Sequence, residues 1–189
     1  MSPRDEAEIV QSVLDGDKNS YGLLVDAYSE RIINYLARMA GSRYEAEELA
    51  QEAFIRAYCA LHSYNPAYKF STWLYKIATN LCLNHFKKQK RLVQVDDYQD
   101  EEGHTYWVLA DDDPNRDPAL VAEKRDLQRQ VQGAIDQLPA AYRTVILLRH
   151  LHGLSYQEIA DVTEMPIGTV KSRLGRGRSR LADLLKGKV

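Results

Sequence analysis

Between Thr169 and Ser179 the sequence places six side chains able to grip nucleic acid: Thr169, Lys171, Ser172, Arg173, Arg176 and Ser179. A guanidinium can bridge O6 and N7 of guanine with two parallel bonds, while ammonium and hydroxyl groups hold phosphate. At about 100° per residue, Ser172, Gly175, Arg176 and Ser179 share one helix face, flanked by Thr169, Lys171 and Arg173. Val170, Leu174 and Leu181 form a narrow apolar stripe opposite. From Pro166 to Arg180 there are five basic side chains and no acidic one. This is the pattern of a helix with one packed face and one face turned to a groove between rows of phosphates.

Such a helix needs a partner to aim it. Ser155 and Glu158 form a capping box that starts SYQEIADVT, and the turn around Glu164-Met165-Pro166 follows. The spacing is that of a helix-turn-helix. Gly175 and Gly177 each weaken a helix by about 1 kcal/mol relative to Ala. They either permit close approach to DNA or fray the free helix.

The chain has 189 residues and a formal net charge of -2, which is a cancellation of opposed blocks. Residues 1–95 carry 12 basic and 11 acidic groups, 96–117 one and nine, and 118–189 12 and seven. Two basic regions on either side of an acidic connector point to polyanion binding and to two domains. The amino terminus lacks the apolar core of a secretory signal, and no apolar run reaches the ~20 residues that span a bilayer. Cys59 and Cys82 are too few for a disulfide framework, so a cytoplasmic location with reduced thiols is expected, without membrane insertion. Cys59 with His62 and Cys82 with His85 could in principle form a zinc site, but small buried hydrophobes are the favoured reading. No metal and no cofactor are expected. With no phosphate loop and no carboxylate cluster in a basic setting, an enzyme is not expected either.

The helical period dominates, giving an all-α fold of two small domains joined by a flexible acidic linker. The first block reads as four helices: DEAEIVQSVL, stopping at Gly16-Asp17; one carrying Tyr21, Val25, Tyr28, Ile32, Tyr35 and Met39, stopped by Gly41; SRYEAEELAQEAFIRAYCAL, opened by Ser42 and Glu45; and FSTWLYKIATNLCLNHFKK, capped by Ser71. Glu45, Glu48 and Glu52 share a stripe on the third. From Leu92 to Arg116 no period survives, although an apolar YWVLA patch interrupts the acids. Pattern resumes with Asp117 as a cap and Pro118 at the first helical position, with Leu120, Leu127, Val131 and Leu138 inward and Pro139 at the end. AYRTVILLRHLHG supplies a further helix, stopped by Gly153.

EAEELAQEAFIRAY followed by FSTWLYKIATNLCLNHFKK resembles the promoter-melting domain of bacterial RNA polymerase sigma factors of the extracytoplasmic-function class. LSYQEIADVTEMPIGTVKSRL resembles their carboxy-terminal domain, which reads the −35 element. The resemblance implies a domain over 1–92, a linker over 93–117 and a second domain over 118–189. It implies that Glu48, Gln51 and Glu52 dock on the clamp helices of the largest polymerase subunit. It further implies that the second domain meets the flap of the second-largest subunit. It assigns Tyr64, Phe70, Trp73, Asn80 and Asn84 to opening the −10 element and holding its flipped base. Aromatic rings can replace lost stacking and Asn presents both a donor and an acceptor, so the chemistry agrees. Lys76, Lys87 and Lys88 can follow the displaced strand. Phe70 and Trp73 fit equally well as core residues. The acidic linker is either a mimic of RNA in a basic channel or a soluble tether. Gly175 departs from the bulkier residue common in relatives, so no −35 sequence preference is transferred. The implied function is promoter-directed initiation in a stress or envelope response, with an anti-sigma factor as a further partner that can hold the chain at the membrane. The rival is a one-component helix-turn-helix regulator that binds duplex DNA without polymerase.

Overall fold

The computed structural model describes residues 2–93 and 118–186, with side chains between 89 and 124 outside the description. Eight α-helices account for the elements that matter to function among the described residues: α1 Pro3–Leu14, α2 Tyr21–Ala40, α3 Arg43–Cys59, α4 Phe70–Val93, α5 Pro118–Asp136, α6 Ala140–His150, α7 Tyr156–Thr163 and α8 Ile167–Leu185. No strand occurs among the described residues.

Local signals set most of the ends. Ser2 and Asp5 form a reciprocal capping box on α1, with Pro3 at the first helical position. Gly41 ends α2 at φ 79°, a left-handed conformation that any Cβ would strain. The Ser42 hydroxyl accepts the Glu45 N–H at 3.3 Å and opens α3. The start of α4 departs from expectation. The helix begins at Phe70, one residue before Ser71, and the Phe70 N–H donates to the Glu6 carboxylate at 3.0 Å. Glu6 is 3% exposed and also accepts the Tyr28 hydroxyl. A buried acid on α1 therefore supplies the cap that Ser71 was expected to supply.

In the first half, α2, α3 and α4 pack around Leu24, Ile32, Tyr35, Leu36, Phe70, Leu74 and Ala78, all fully buried. In the second, α5 to α8 enclose Val145, Leu148, Ile159, Val162, Val170 and Leu174. Helix α5 corrects one expectation, since Leu127 is 45% exposed. From Val131 onward α5 turns Ala134 and Ile135 inward, with Leu138 buried just past its end, whereas Leu127 faces solvent one turn earlier. The Asp117 cap, the Leu120 side chain, the linker and its YWVLA patch lie outside the described residues.

The two halves touch. The Arg143 guanidinium, on α6, donates to the carbonyl of Met39 at 2.6 Å, of Leu138 at 3.2 Å and of Asp136. One cation thus serves carbonyls at the C-terminal ends of α2 and α5, where helices leave acceptors unsatisfied. Arg38 donates to Gln132 at 2.7 Å, and Tyr75 meets His152 at 2.7 Å.

Candidate nucleic-acid interface

The helix-turn-helix is built as its sequence dictates. The Ser155 hydroxyl accepts the Glu158 N–H at 3.2 Å, and the Glu158 carboxylate accepts the Ser155 N–H at 2.7 Å. Helix α7 ends at Glu164, whose φ of 54° makes the sharp reversal into α8. Val170 and Leu174 are fully buried and Leu181 packs beside them, which fixes the rotation of α8.

That rotation leaves Lys171, Ser172, Arg176 and Ser179 exposed, with Thr169 and Arg173 half-buried at the margins. All six expected −35 residues therefore lie on or beside one open face. The Ser179 hydroxyl donates to the Gly175 carbonyl at 3.2 Å, so it offers an incoming group mainly its lone pairs. Arg178 and Arg180 turn elsewhere: Arg178 donates to the Leu174 carbonyl at 3.4 Å, and the Arg180 guanidinium sits 4.9 Å over the Tyr142 ring. The two glycines separate. A Cβ on Gly175 would meet nothing within 4 Å, whereas one on Gly177 would sit 3.1 Å from Ile146 Cγ1. Gly177 allows α8 to approach α6 closely, a role in packing and not in DNA contact.

On α4 the expected −10 residues divide. Asn80, Asn84, Lys87 and Lys88 are exposed along one face, while Ala78, Leu81 and Cys82 are buried. Phe70 requires a correction. It is 0% exposed and lies 5.6 Å from the Tyr64 ring and 5.7 Å from the Trp73 ring, centroid to centroid. No base can reach it, and its part is to support its two aromatic neighbours. Tyr64 is also buried, its hydroxyl donating to the Tyr68 carbonyl at 2.6 Å. Burial holds the Tyr64 phenol protonated, its pKa pushed up to about 12. Trp73 is half-buried, and with Tyr64, Asn65, Tyr68, Lys76 and Asp161 it lines a cavity of about 320 Å³. Tyr68, 55% exposed on the loop before α4, was missed as a candidate platform. Its signal was an aromatic residue in the polar turn NPAYK.

Helix α3 presents Glu48, Gln51 and Glu52 to solvent, with Leu49, Ala50, Ala53 and Phe54 buried behind them. Arg56 pairs with Glu52 on the same face. Glu45, half-buried at the edge of that stripe, lies 3.6 Å from His85 on α4. Cys59 is exposed and Cys82 buried, the Cys82 thiol being pushed up to about 12 by burial. Among the described residues no group of three or more His, Cys, Asp or Glu side chains is arranged to hold a metal ion. Among them, too, no helix is long and apolar enough to cross a membrane.

A reading helix carried by a helix-turn-helix and an exposed Asn- and Lys-bearing helix in the same all-α chain define a DNA-handling protein. Its relatives place it further. Residues 24–92 match the sigma-70 region 2 family and residues 128–181 match sigma-70 region 4. The chain is 39% identical over 180 residues to the ECF RNA polymerase sigma factor SigW of Bacillus subtilis, covering 94% of this chain and 95% of the relative. It is 34% identical over 173 residues to the ECF RNA polymerase sigma-E factor of Escherichia coli, covering 92% and 90%. The chain belongs to the extracytoplasmic-function sigma factors, a family of transcription-initiation factors and not of enzymes. Two solved structures share the fold. The sigma factor RpoE in complex with the anti-sigma factor NepR from Bartonella quintana has a TM-score of 0.71 at 23% identity, over 89% of this chain and 98% of that one. CnrH in complex with the cytosolic domain of CnrY has a TM-score of 0.68 at 20% identity, over 96% and 97%.

Proposed function

We propose that this chain binds core RNA polymerase and directs it to promoters by reading the −35 element with α8 and the opened −10 element with α4. The observation that carries the reading is the presence of two differently equipped faces in one family member. One is a groove-filling helix with Arg176, Arg173 and Lys171. The other is a helix with Asn80, Asn84, Lys87 and Lys88 exposed beside a half-buried Trp73. The first suits base edges in a major groove, and the second suits unpaired bases and a single phosphate strand. Residues 1–92 form the melting domain, 93–117 the linker and 118–189 the −35 domain.

Glu48, Gln51 and Glu52 form the docking surface for the clamp helices of the largest subunit. They are exposed, acidic in balance and on the opposite side of α3 from its core. The second domain meets the flap of the second-largest subunit. An anti-sigma factor is the expected inhibitor, as the RpoE and CnrH complexes have partners of their own. A stress or envelope response is the expected setting. Promoter-directed transcription by core polymerase with and without the chain tests the function. Glu48→Lys with Glu52→Lys tests the docking surface. Initiation should require the chain, and the double variant should lose co-purification with core while both domains stay folded. Retention equal to wild type would overturn the assignment of that face.

A further inference from the structure

We propose that the chain holds a small anion bearing a diphosphate group in the cavity between α2, the start of α4 and the turn that follows α6. The cavity measures about 540 Å³, a size common for small-molecule sites. Arg31, Asn34 and Arg38 line it from α2, Lys69 and Ser71 from the start of α4, and His152 from the turn. The first three are spaced three and four positions apart, which sets them along one face of α2. The two guanidiniums therefore spring from points about 10 Å apart along the axis, at ~1.5 Å per residue. That span suits an ion with two phosphoryl groups better than an ion with one. Each guanidinium can meet phosphate oxygens with two parallel bonds.

The cations of this cavity are short of counter-ions. Three of them face two carboxylates, Glu6 and Glu158, and both carboxylates are already engaged. Glu6 accepts the Phe70 N–H and the Tyr28 hydroxyl. Glu158 accepts the Ser155 N–H and pairs with Lys69 at 2.8 Å. Among the described residues neither Arg31 nor Arg38 forms an ion pair. Arg38 is half-buried, and burial lowers the pKa of its guanidinium. Its hydrogen bond goes to the neutral amide of Gln132 at 2.7 Å, and Asp136 stands behind that amide, 2.8 Å from its nitrogen. A charge withdrawn from water without a paired anion is costly, so an anion brought beside Arg38 offsets part of that cost. His152 senses both guanidiniums: burial lowers its pKa most, followed by the charges of Arg38 and Arg31. Ser71 does not cap α4, and its hydroxyl has no partner among the described residues, so it is available to the same ion.

Isothermal titration calorimetry of the full chain with sodium pyrophosphate, in low-salt buffer without phosphate, tests the site. One ion should bind per chain. Arg31→Gln removes an exposed guanidinium that pairs with no described residue, and should weaken binding about tenfold. Arg4→Gln removes the same charge from the exposed Arg4–Glu8 pair and should leave binding unchanged. Absence of saturable binding, or an equal loss in the two variants, overturns the proposal. ADP and adenosine as competitors identify the source of the phosphates. Displacement by ADP marks a nucleotide as the ligand and failure to displace marks the free ion, and either outcome keeps the site. Displacement by adenosine shows that phosphate is not what is recognised and overturns it. Titration of a single-stranded DNA of about 20 nucleotides supplies the last arm. If Arg31→Gln weakens its binding as much as that of pyrophosphate, the cation belongs to the DNA-handling surface and the proposal falls.

Discussion

The Tyr75 hydroxyl and His152 Nδ1 lie 2.7 Å apart, although the residues are separated by 77 positions and belong to different halves of the chain. The His152 ring also packs edge-on to Tyr35 at 5.5 Å. Burial, then the charges of Arg38 and Arg31, lower its pKa from 6.5 to about 4. His152 is therefore neutral when the halves are docked and titrates near 6.5 when it is released. Its contribution is complete above about pH 6.5 and declines as the pH falls toward 4. Between pH 7 and pH 5 the loss is on the order of 2 kcal/mol. The carboxyls of Glu158 and Glu164 sit below their usual 4.5, so both acids stay charged over that interval. Urea unfolding at the two pH values should show the loss in wild type and a flattened response in His152→Asn. Equal pH dependence in both proteins would contradict this role.

Gly177 and Gly175 make a matched pair on one helix. Gly175→Ala adds a methyl group to open space and should stabilise the chain by up to about 1 kcal/mol. Gly177→Ala forces the methyl against Ile146, itself 3% exposed, at a packing cost of about 1–3 kcal/mol that exceeds the ~1 kcal/mol helix-propensity gain, and should destabilise by up to about 2 kcal/mol. Chemical unfolding midpoints decide it, and the prediction fails if the two variants shift the same way.

Glu6 ties α1 to the start of α4 through the Phe70 N–H and to α2 through the Tyr28 hydroxyl. Glu6→Ala leaves a buried N–H without its acceptor and should cost about 1–3 kcal/mol. Tyr28→Phe removes only one of the two bonds and should cost less. The order of the two unfolding free energies is the test.

Features set by neighbours in the chain were legible in the sequence. The Ser155–Glu158 box, the Gly41 stop and the Val170–Leu174 stripe need only residues within one or two turns. What escaped depends on long-range placement. Ser71 looked like a cap because Glu6, 64 positions before Phe70, could not be seen beside that N–H. Phe70 has the chemistry of a stacking platform, and only the packing of Tyr28, Tyr64 and Trp73 around it shows that it is core. Gly177 read as a weakness in a helix until Ile146 appeared above it. Leu127 kept the helical period of its neighbours yet faces solvent, because periodicity reports which face is apolar and not how far the partner extends. The ion pairs of Lys69 with Glu158 and of Lys76 with Glu164 carry no local signature at all.

Arg176 and Lys171 should behave differently on α8. On the proposed reading of α8 the exposed Arg176 meets a base edge, so Arg176→Ala should cost about 1–3 kcal/mol and relax preference at one or two −35 base pairs. Lys171→Ala should weaken all sequences alike and lower the salt slope by about one. Holoenzyme binding to a panel of −35 variants at several salt concentrations separates them. Equal loss on every variant from Arg176→Ala would contradict its assignment.

Open-complex yield on duplex and pre-opened templates tests most directly whether α4 handles the opened −10 element. An indole can replace stacking lost on melting, and unstacking costs only a few kcal/mol, so an opened template should remove the need for it. Trp73→Ala in holoenzyme should fail on duplex promoters and recover on a template with a −10 bubble. Asn80→Ala should stay defective on both and discriminate less among the four bases at one non-template position. Full rescue of Asn80→Ala by the bubble, or no defect in either variant on duplex DNA, would contradict the account.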